Sequence, residues 1–150
     1  MKFVVDCMLG KLAKWLKILG FDTLFFSKIG DDELLAIAEK EERVLLTRDN
    51  ELFERADPAS AFFIKSEDWQ EQLKQVLDGF KLRDKAKPYS RCIECNAALK
   101  ALSRDKAKNL VTPFVYKNAA GFALCPVCGR VFWQGSHQKD MAAKIEEFLK

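Results

Sequence analysis

The chain has 150 residues, 49% of them hydrophobic and 31% charged, with a formal net charge of +3. That is ordinary globular composition with enough length for one domain and a small module, which excludes a fibrous or disordered chain. No apolar run approaches the roughly 20 residues that span a bilayer, and Asp6 breaks the N-terminal apolar run where a signal peptide would continue. A cytoplasmic protein without membrane contact is expected.

The charge is unevenly placed. Residues 1–87 carry 15 Lys and Arg against 17 Asp and Glu, whereas residues 88–150 carry 10 against 5. The basic excess in the last third favours an anionic partner there, nucleic acid among the candidates.

In chain order, Lys2-Phe3-Val4-Val5 is a short apolar run that stops at Asp6. Such a run reads as a buried strand. Leu12, Trp15, Leu16 and Leu19 then follow helical spacing, with Lys11, Lys14 and Lys17 on the opposite, solvated face and Gly20 as C-terminal cap. Cys7, beside Asp6, is expected to be a small buried hydrophobe. Residues 21–26 give a second strand, and Asp31-Asp32-Glu33 opens a helix carrying Leu34, Leu35, Ile37 and Ala38. Acids at a helix start are favoured by the cap and the dipole.

Val44-Leu45-Leu46-Thr47 is a third strand, running through Arg48 to Asp49, which is also placed to cap a short helix over 50–55. Residues 61–64 form a fourth strand, and Ser66 is the predicted cap of a helix ending near Gly79. Four strand–helix repeats predict a parallel sheet covered on both faces. A doubly wound order of 2-1-3-4 puts the switch point between strands one and three. Ligands bind outside the carboxyl ends of strands at such a point, and there Asp6 and Asp49 emerge.

Converging carboxylates call for a cation, and oxygen ligands suit Mg²⁺ or Mn²⁺. Such a site can activate water and stabilise the leaving oxygen of a phosphodiester. His137 is the single histidine, so a Ser-His-Asp arrangement is disfavoured. Neither a dinucleotide-binding nor a P-loop motif occurs. The Asp-x-Asp of haloacid-dehalogenase-like phosphatases and the paired acids of phospho-acceptor receivers are also missing at the first strand.

Four segments together resemble a known family: residues 6–12, residues 16–22, Asp31-Asp32-Glu33-Leu34-Leu35 and Leu45-Leu46-Thr47-Arg48-Asp49. They look like the PIN-like ribonuclease domain first named from the C-terminus of the Mut-seven exonuclease, which also carries a C-terminal zinc ribbon. The resemblance implies a short Rossmann-like α/β fold that cuts RNA with Mg²⁺ or Mn²⁺. It places Asp6, Asp32 and Asp49 as the acidic triad, with Asp31 and Glu33 as helpers.

Residues 81–91 read as a linker between a nuclease domain over 1–80 and a ribbon with a terminal helix over 92–150. Cys92-x-x-Cys95 and Cys125-x-x-Cys128, separated by 29 residues, predict a structural zinc site whose four thiolates leave no open position. Residues 111–116 and 121–124 read as ribbon strands, continued by 131–133, and Met141, Ile145, Phe148 and Leu149 mark the terminal amphipathic helix. Lys11, Lys14, Arg48, Arg91, Arg130 and His137 are candidate RNA contacts, with Tyr116 and Trp133 available for base stacking. His137 lies in Gln134-Gly135-Ser136-His137, which resembles a motif of the same family. The expected activity is metal-dependent RNA cleavage. A non-catalytic RNA-binding or assembly factor and a small-molecule phosphohydrolase are the alternatives.

Overall fold

A computed structural model describes residues 1–135 and 138–150. Its first part repeats strand and helix: β1 (Lys2–Val5), α1 (Gly10–Ile18), β2 (Asp22–Phe25), α2 (Asp31–Lys40), β3 (Val44–Thr47), α3 (Asn50–Arg55), β4 (Ala61–Phe63) and α4 (Trp69–Gly79). The strands form one parallel sheet in the order β2-β1-β3-β4, the doubly wound order that the strand–helix pattern predicts. Phe3, Val4, Val5, Leu45 and Leu46 are all fully buried, because helices cover both faces of a parallel sheet. Alternation along the strands divides the core. Phe3, Val5 and Leu46 pack with Leu12, Leu16, Leu73, Val76 and Leu77 of α1 and α4. Val4 and Leu45 pack with Leu34, Ala38 and Leu52 on the other face.

Helix α1 is closed just past Ile18: the Phe21 N–H bonds to Leu16 O and the Gly20 N–H to Lys17 O, the paired closure of a Schellman motif. Gly20 has φ +91°, and a Cβ there would lie 2.3 Å from Lys87 O and 2.6 Å from Ser90 Oγ. The left-handed backbone alone costs a non-glycine residue roughly 1–2 kcal/mol, and here the 87–90 backbone would also be pushed off the helix end. Gly20→Ala is therefore expected to lower stability by about 2 kcal/mol or more in urea unfolding. An unchanged midpoint would contradict this packing.

Two local expectations are corrected. The predicted cap of the fourth helix was Ser66; the cap is Asp68, whose carboxylate accepts from Glu71 N, while the Ser66 hydroxyl accepts from Asp68 N just before it. Lys17 is not solvated but 8% exposed, and its ammonium donates to Ile93 O at 2.7 Å. Burial lowers its pKa from the usual lysine value, against the opposing pull of Glu94 and the Cys92 and Cys95 sulfurs.

The C-terminal part holds β5 (Lys100–Leu102), α5 (Arg104–Ala107), α6 (Pro113–Asn118), β6 (Phe122–Leu124), β7 (Val131–Trp133) and α7 (Gln138–Leu149). Strands β5, β6 and β7 make a small antiparallel sheet. Residues 111–116 are expected to be extended, but 113–118 form a helix instead. Thr112 caps the turn by accepting from Val115 N, and Pro113 occupies the first helical position. This start signal outweighs the strand propensity of Val115 and Tyr116, which is context-dependent. Arg104 holds α6 in place: it donates to Ala119 O and Tyr116 O, and its guanidinium lies 4.8 Å from the Tyr116 ring centroid.

The two parts are closely joined. Residues 87 and 89 donate backbone bonds to Leu19 O and Ile18 O. Ile145 and Phe148 of α7 enter the core of α1 and α4, where the Phe148 ring meets Trp15 and Trp69 at 5.7 and 5.8 Å. Asn96, just past the first cysteine knuckle, caps the edge strand β2: its Oδ1 accepts from Thr23 N, and its amide donates to Asp22 Oδ1. Arg43 donates to the same Asp22 oxygen at 2.7 Å and to Phe3 O at 3.1 Å.

Burial opposes ionisation of Asp22, but the Arg43 and Asn96 bonds outweigh it and hold the carboxyl below the usual aspartate value. A folded-state pKa below the unfolded one adds stability that is present above the unfolded pKa and lost as pH falls through the folded one. Asp22→Asn is expected to flatten the loss of stability between about pH 5 and pH 2, as read by urea unfolding at a series of pH values. An unaltered slope would contradict it.

Candidate active site and metal centre

The first strand ends at Asp6, which is 6% exposed. Its backbone N–H bonds to Leu46 O, so β1 and β3 remain paired up to the acid. Thr47, fully buried at the end of β3, donates its hydroxyl to Asp6 Oδ2 at 2.9 Å and accepts from Asp49 N at 3.0 Å. One hydroxyl thus ties the two acids to a common edge at the switch point. Asp49 also caps α3, accepting from Glu51 N and Leu52 N. Both bonds fall on Oδ1, and no described residue donates to Oδ2. A carboxylate has about four lone-pair sites, so capping leaves room for a further ligand.

The acids of α2 are placed differently. Asp31, Asp32 and Glu33 open the helix and are exposed. Arg55 of α3 pairs with Asp32 and lies 3.9 Å from Asp31. Thr47 therefore links the Asp6 carboxylate to the main chain of Asp49, while the Asp32 carboxylate pairs with Arg55. Among the described residues, Asp6, Asp32 and Asp49 do not form a cluster of donor atoms close enough to share one ion. Mg²⁺ commonly takes only one or two protein carboxylates, completed by waters and substrate phosphate. The donor chemistry at this edge fits such an ion.

Arg48, between Thr47 and Asp49, carries a buried Nε with no hydrogen-bond partner, and its guanidinium is 3.9 Å from Glu67. Cys7 is exposed rather than buried, which corrects the expectation. Crowding around the sulfur nonetheless raises its pKa first, followed by the Asp6 carboxylate and, more weakly, Asp31. It is a poor nucleophile at neutral pH.

The second centre is the cysteine cluster. The sulfurs of Cys92, Cys95, Cys125 and Cys128 all lie within 4.8 Å of one another. Cys92–Cys128, at 3.7 Å, matches the roughly 3.8 Å edge of a tetrahedron with ~2.3 Å zinc–sulfur bonds, and Cys95–Cys125, at 3.1 Å, is closer than that edge. In each knuckle the first sulfur accepts from the last cysteine's N–H, Cys95 to Cys92 and Cys128 to Cys125. The Cys128 N–H is the main cause that pulls the Cys125 thiol down to about 6. The Ala97 N–H pulls Cys95 down, but its bond to Cys125 and its burial prevail and push it up to about 12. One thiolate is thus easy to form and the next is costly, so four together need a cation. This is a metal-binding cluster whose donors suit zinc.

The candidate RNA contacts fall into three groups. Lys11 and Lys14 are exposed on α1, with Lys11 Nζ 5.1 Å from the Trp69 ring centroid. Arg130 is exposed beside the second knuckle. Arg91 is engaged, donating to Gly20 O and Asn96 O. His137 lies outside the described residues. Sequence reasoning missed two members of the acidic site. Thr47 was visible only as the residue two before Asp49, and Arg55, 23 residues from Asp32, leaves no local signal.

Residues 1–145 match the family model described as Mut7-C RNAse domain. No curated protein and no solved structure matches the chain.

Proposed function

We propose, from the premise that the chain belongs to the Mut7-C RNase domain family, that it is a ribonuclease whose acidic edge works with Mg²⁺ or Mn²⁺. The observation that carries this reading is the Thr47 hydroxyl at the switch point, which donates to the Asp6 carboxylate and accepts from the Asp49 main-chain N–H. Asp6 and Asp49 would hold the ion, with Asp32 the third member of the triad and Asp31 and Glu33 beside it. When bound, a divalent cation supplies charge at the scissile phosphate and acidifies water. The protein's own groups do the positioning. Thr47 fixes the Asp6 carboxylate, and the α3 cap fixes Asp49. Arg48, next to Asp49 in sequence, and Lys11, exposed at the start of α1, supply positive charge for the phosphates of the strand. The cysteine cluster holds zinc as a structural ion, and the ribbon aids RNA binding through Arg91 and Arg130, with Lys14 facing it from α1.

A partition into residues 1–80, 81–91 and 92–150 goes with this reading. So does a cytoplasmic location, where thiols stay reduced; no helix among the described residues is long and apolar enough to cross a membrane.

The pairing of Arg55 with Asp32 favours a second reading. A cation already sits on one triad member, as in a fold kept for RNA binding or assembly without turnover. Incubation of mixed single-stranded RNA with the protein separates the two. The ribonuclease reading expects cleavage with added Mn²⁺ and none without it. Salt-sensitive RNA binding with no cleavage at any metal concentration would favour the second reading.

A further inference from the structure

The positive charge of the chain is concentrated between the two cysteine knuckles. Residues 100–118 carry Lys100, Arg104, Lys106, Lys108 and Lys117 against one acid, Asp105. That net +4 exceeds the +3 of the whole chain, so the remaining residues sum to −1. Lys106, Lys108 and Lys117 are exposed, and among the described residues none of them enters an ion pair.

The helical course of 113–118 decides which aromatic side chain joins them. In a strand, Phe114 and Tyr116 would share a face. In α6, at about 100° per residue, they part. Val115 and Tyr116 pack against the cluster of Ala107, Ala119 and Phe122. The Tyr116 ring stacks on Phe122 and carries the Arg104 guanidinium at 4.8 Å, so it is engaged within the fold. Phe114, Lys117 and Asn118 fall on the opposite face of α6, where residues three and four apart are neighbours. Phe114 is 76% exposed, and no ring contact among the described residues includes it. The Asn118 amide donates to Phe114 O at 2.8 Å and fixes the turn that bears the ring.

We propose that the outward face of α6 binds single-stranded RNA, with one base stacked on the Phe114 ring and neighbouring phosphates on Lys117 and on Lys106 and Lys108 at the end of α5. A ring accepts any base, since every base has a π-face, and lysines beside it neutralise the backbone. A protein partner fits this face less well. A stable protein interface buries roughly 800 Å² on each side around an apolar centre. The apolar surface offered here is the Phe114 ring and Leu110, which is 57% exposed. The inference deepens the ribonuclease reading and rests on it for the nature of the strand. It assigns that strand a contact surface on the insertion between the knuckles.

The test uses the full-length, zinc-loaded protein without added Mg²⁺ or Mn²⁺, so that binding is read without turnover. The probes are a mixed-sequence single-stranded RNA and the same backbone with abasic positions. Affinity is read by fluorescence anisotropy across a salt series. Phe114→Ala is expected to weaken the base-bearing strand by about 10-fold, the scale of one lost base stack, and to leave the abasic strand unchanged. Phe114→Trp keeps a flat face and should bind as the wild type does. Lys106→Gln combined with Lys117→Gln is expected to weaken both strands. It should also make the slope of log affinity against log salt shallower by about 1.4, at roughly 0.7 per phosphate contact on a single strand. The substituted side chains are exposed, so zinc content and thermal midpoint should stay at wild-type values.

A base-dependent loss in Phe114→Ala, restored in Phe114→Trp, together with the shallower salt slope of the lysine variant, supports the site. No RNA binding by the wild type, or wild-type RNA affinity in either Phe114→Ala or the lysine variant, overturns it and leaves the face to an acidic protein. Equal weakening of the abasic and base-bearing strands by Phe114→Ala also overturns it, because the ring would then serve packing rather than stacking. Failure to cleave RNA with Mn²⁺, with the expected affinities intact, overturns the ribonuclease reading alone.

Discussion

Cys125→Ser is expected to release the metal of the cysteine cluster and to unfold the C-terminal ribbon while the parallel sheet stays folded. The three ribbon strands are three residues each, and their cluster has only Ala107, Ala119 and Phe122 as buried members. So small a core cannot offset the chain entropy of its residues. Apparent zinc-binding free energies of about 10–16 kcal/mol in small zinc domains are folding free energy, so metal loss is the largest single destabilisation open to this part. Phe3, Val5, Leu12, Leu16, Leu46 and Leu77 belong to a second core around the parallel sheet, which also takes in Ile145 and Phe148 of α7. The clasp between the parts would loosen, because Asn96 and Ile93 sit in or beside the first knuckle and bind Asp22 and Lys17. Metal content by elemental analysis should fall from one zinc per chain to none, and thermal unfolding should show one transition of reduced enthalpy, that of the parallel-sheet part. Acid should have the same effect on the wild type, since zinc ligands must be deprotonated and affinity falls as pH falls. A single unchanged transition in Cys125→Ser would contradict a zinc-dependent ribbon.

Asp6→Asn is expected to lower Mn²⁺-dependent RNA cleavage by at least about 100-fold. A bound metal contributes several kcal/mol of transition-state charge stabilisation, and each ~1.4 kcal/mol lost is tenfold in rate. The substitution is nearly isosteric, and the amide oxygen can still accept from the Thr47 hydroxyl, so stability should change little. Thr47→Val removes the hydroxyl that positions Asp6 and bonds Asp49 N. It is expected to cost about 10- to 100-fold, the usual effect of losing an outer-shell partner. Raising Mn²⁺ should partly restore Thr47→Val and not Asp6→Asn. Wild-type rates in both variants would remove the acidic edge from the chemistry.

The sheet order was legible because each apolar run of the first part is short, ends in a polar residue and is followed by a helix. Asp6 and Asp49 then fall at the switch point by topology alone. The cysteine cluster was legible from spacing, since two close pairs fold into knuckles by local geometry. Long-range partners were not legible. Lys17 has the same helical spacing as Lys14, yet it is buried by a contact with residue 93, and Asp32 meets Arg55 only after α2 and α3 pack. The segment misled because Val111, Phe114, Val115 and Tyr116 favour strands, whereas Thr112 and Pro113 decide the outcome as a helix start. Asp68 displaced Ser66 as a cap by two positions, within the ordinary uncertainty of helix starts.

The most direct measurement of the central claim is anomalous diffraction from Mn²⁺-soaked crystals of the zinc-loaded protein, recorded on both sides of the manganese edge. The expected result is a manganese peak within coordination distance of Asp6 and Asp49. Manganese absent from that edge at saturating concentration, or seated only at the cysteine cluster, would contradict it.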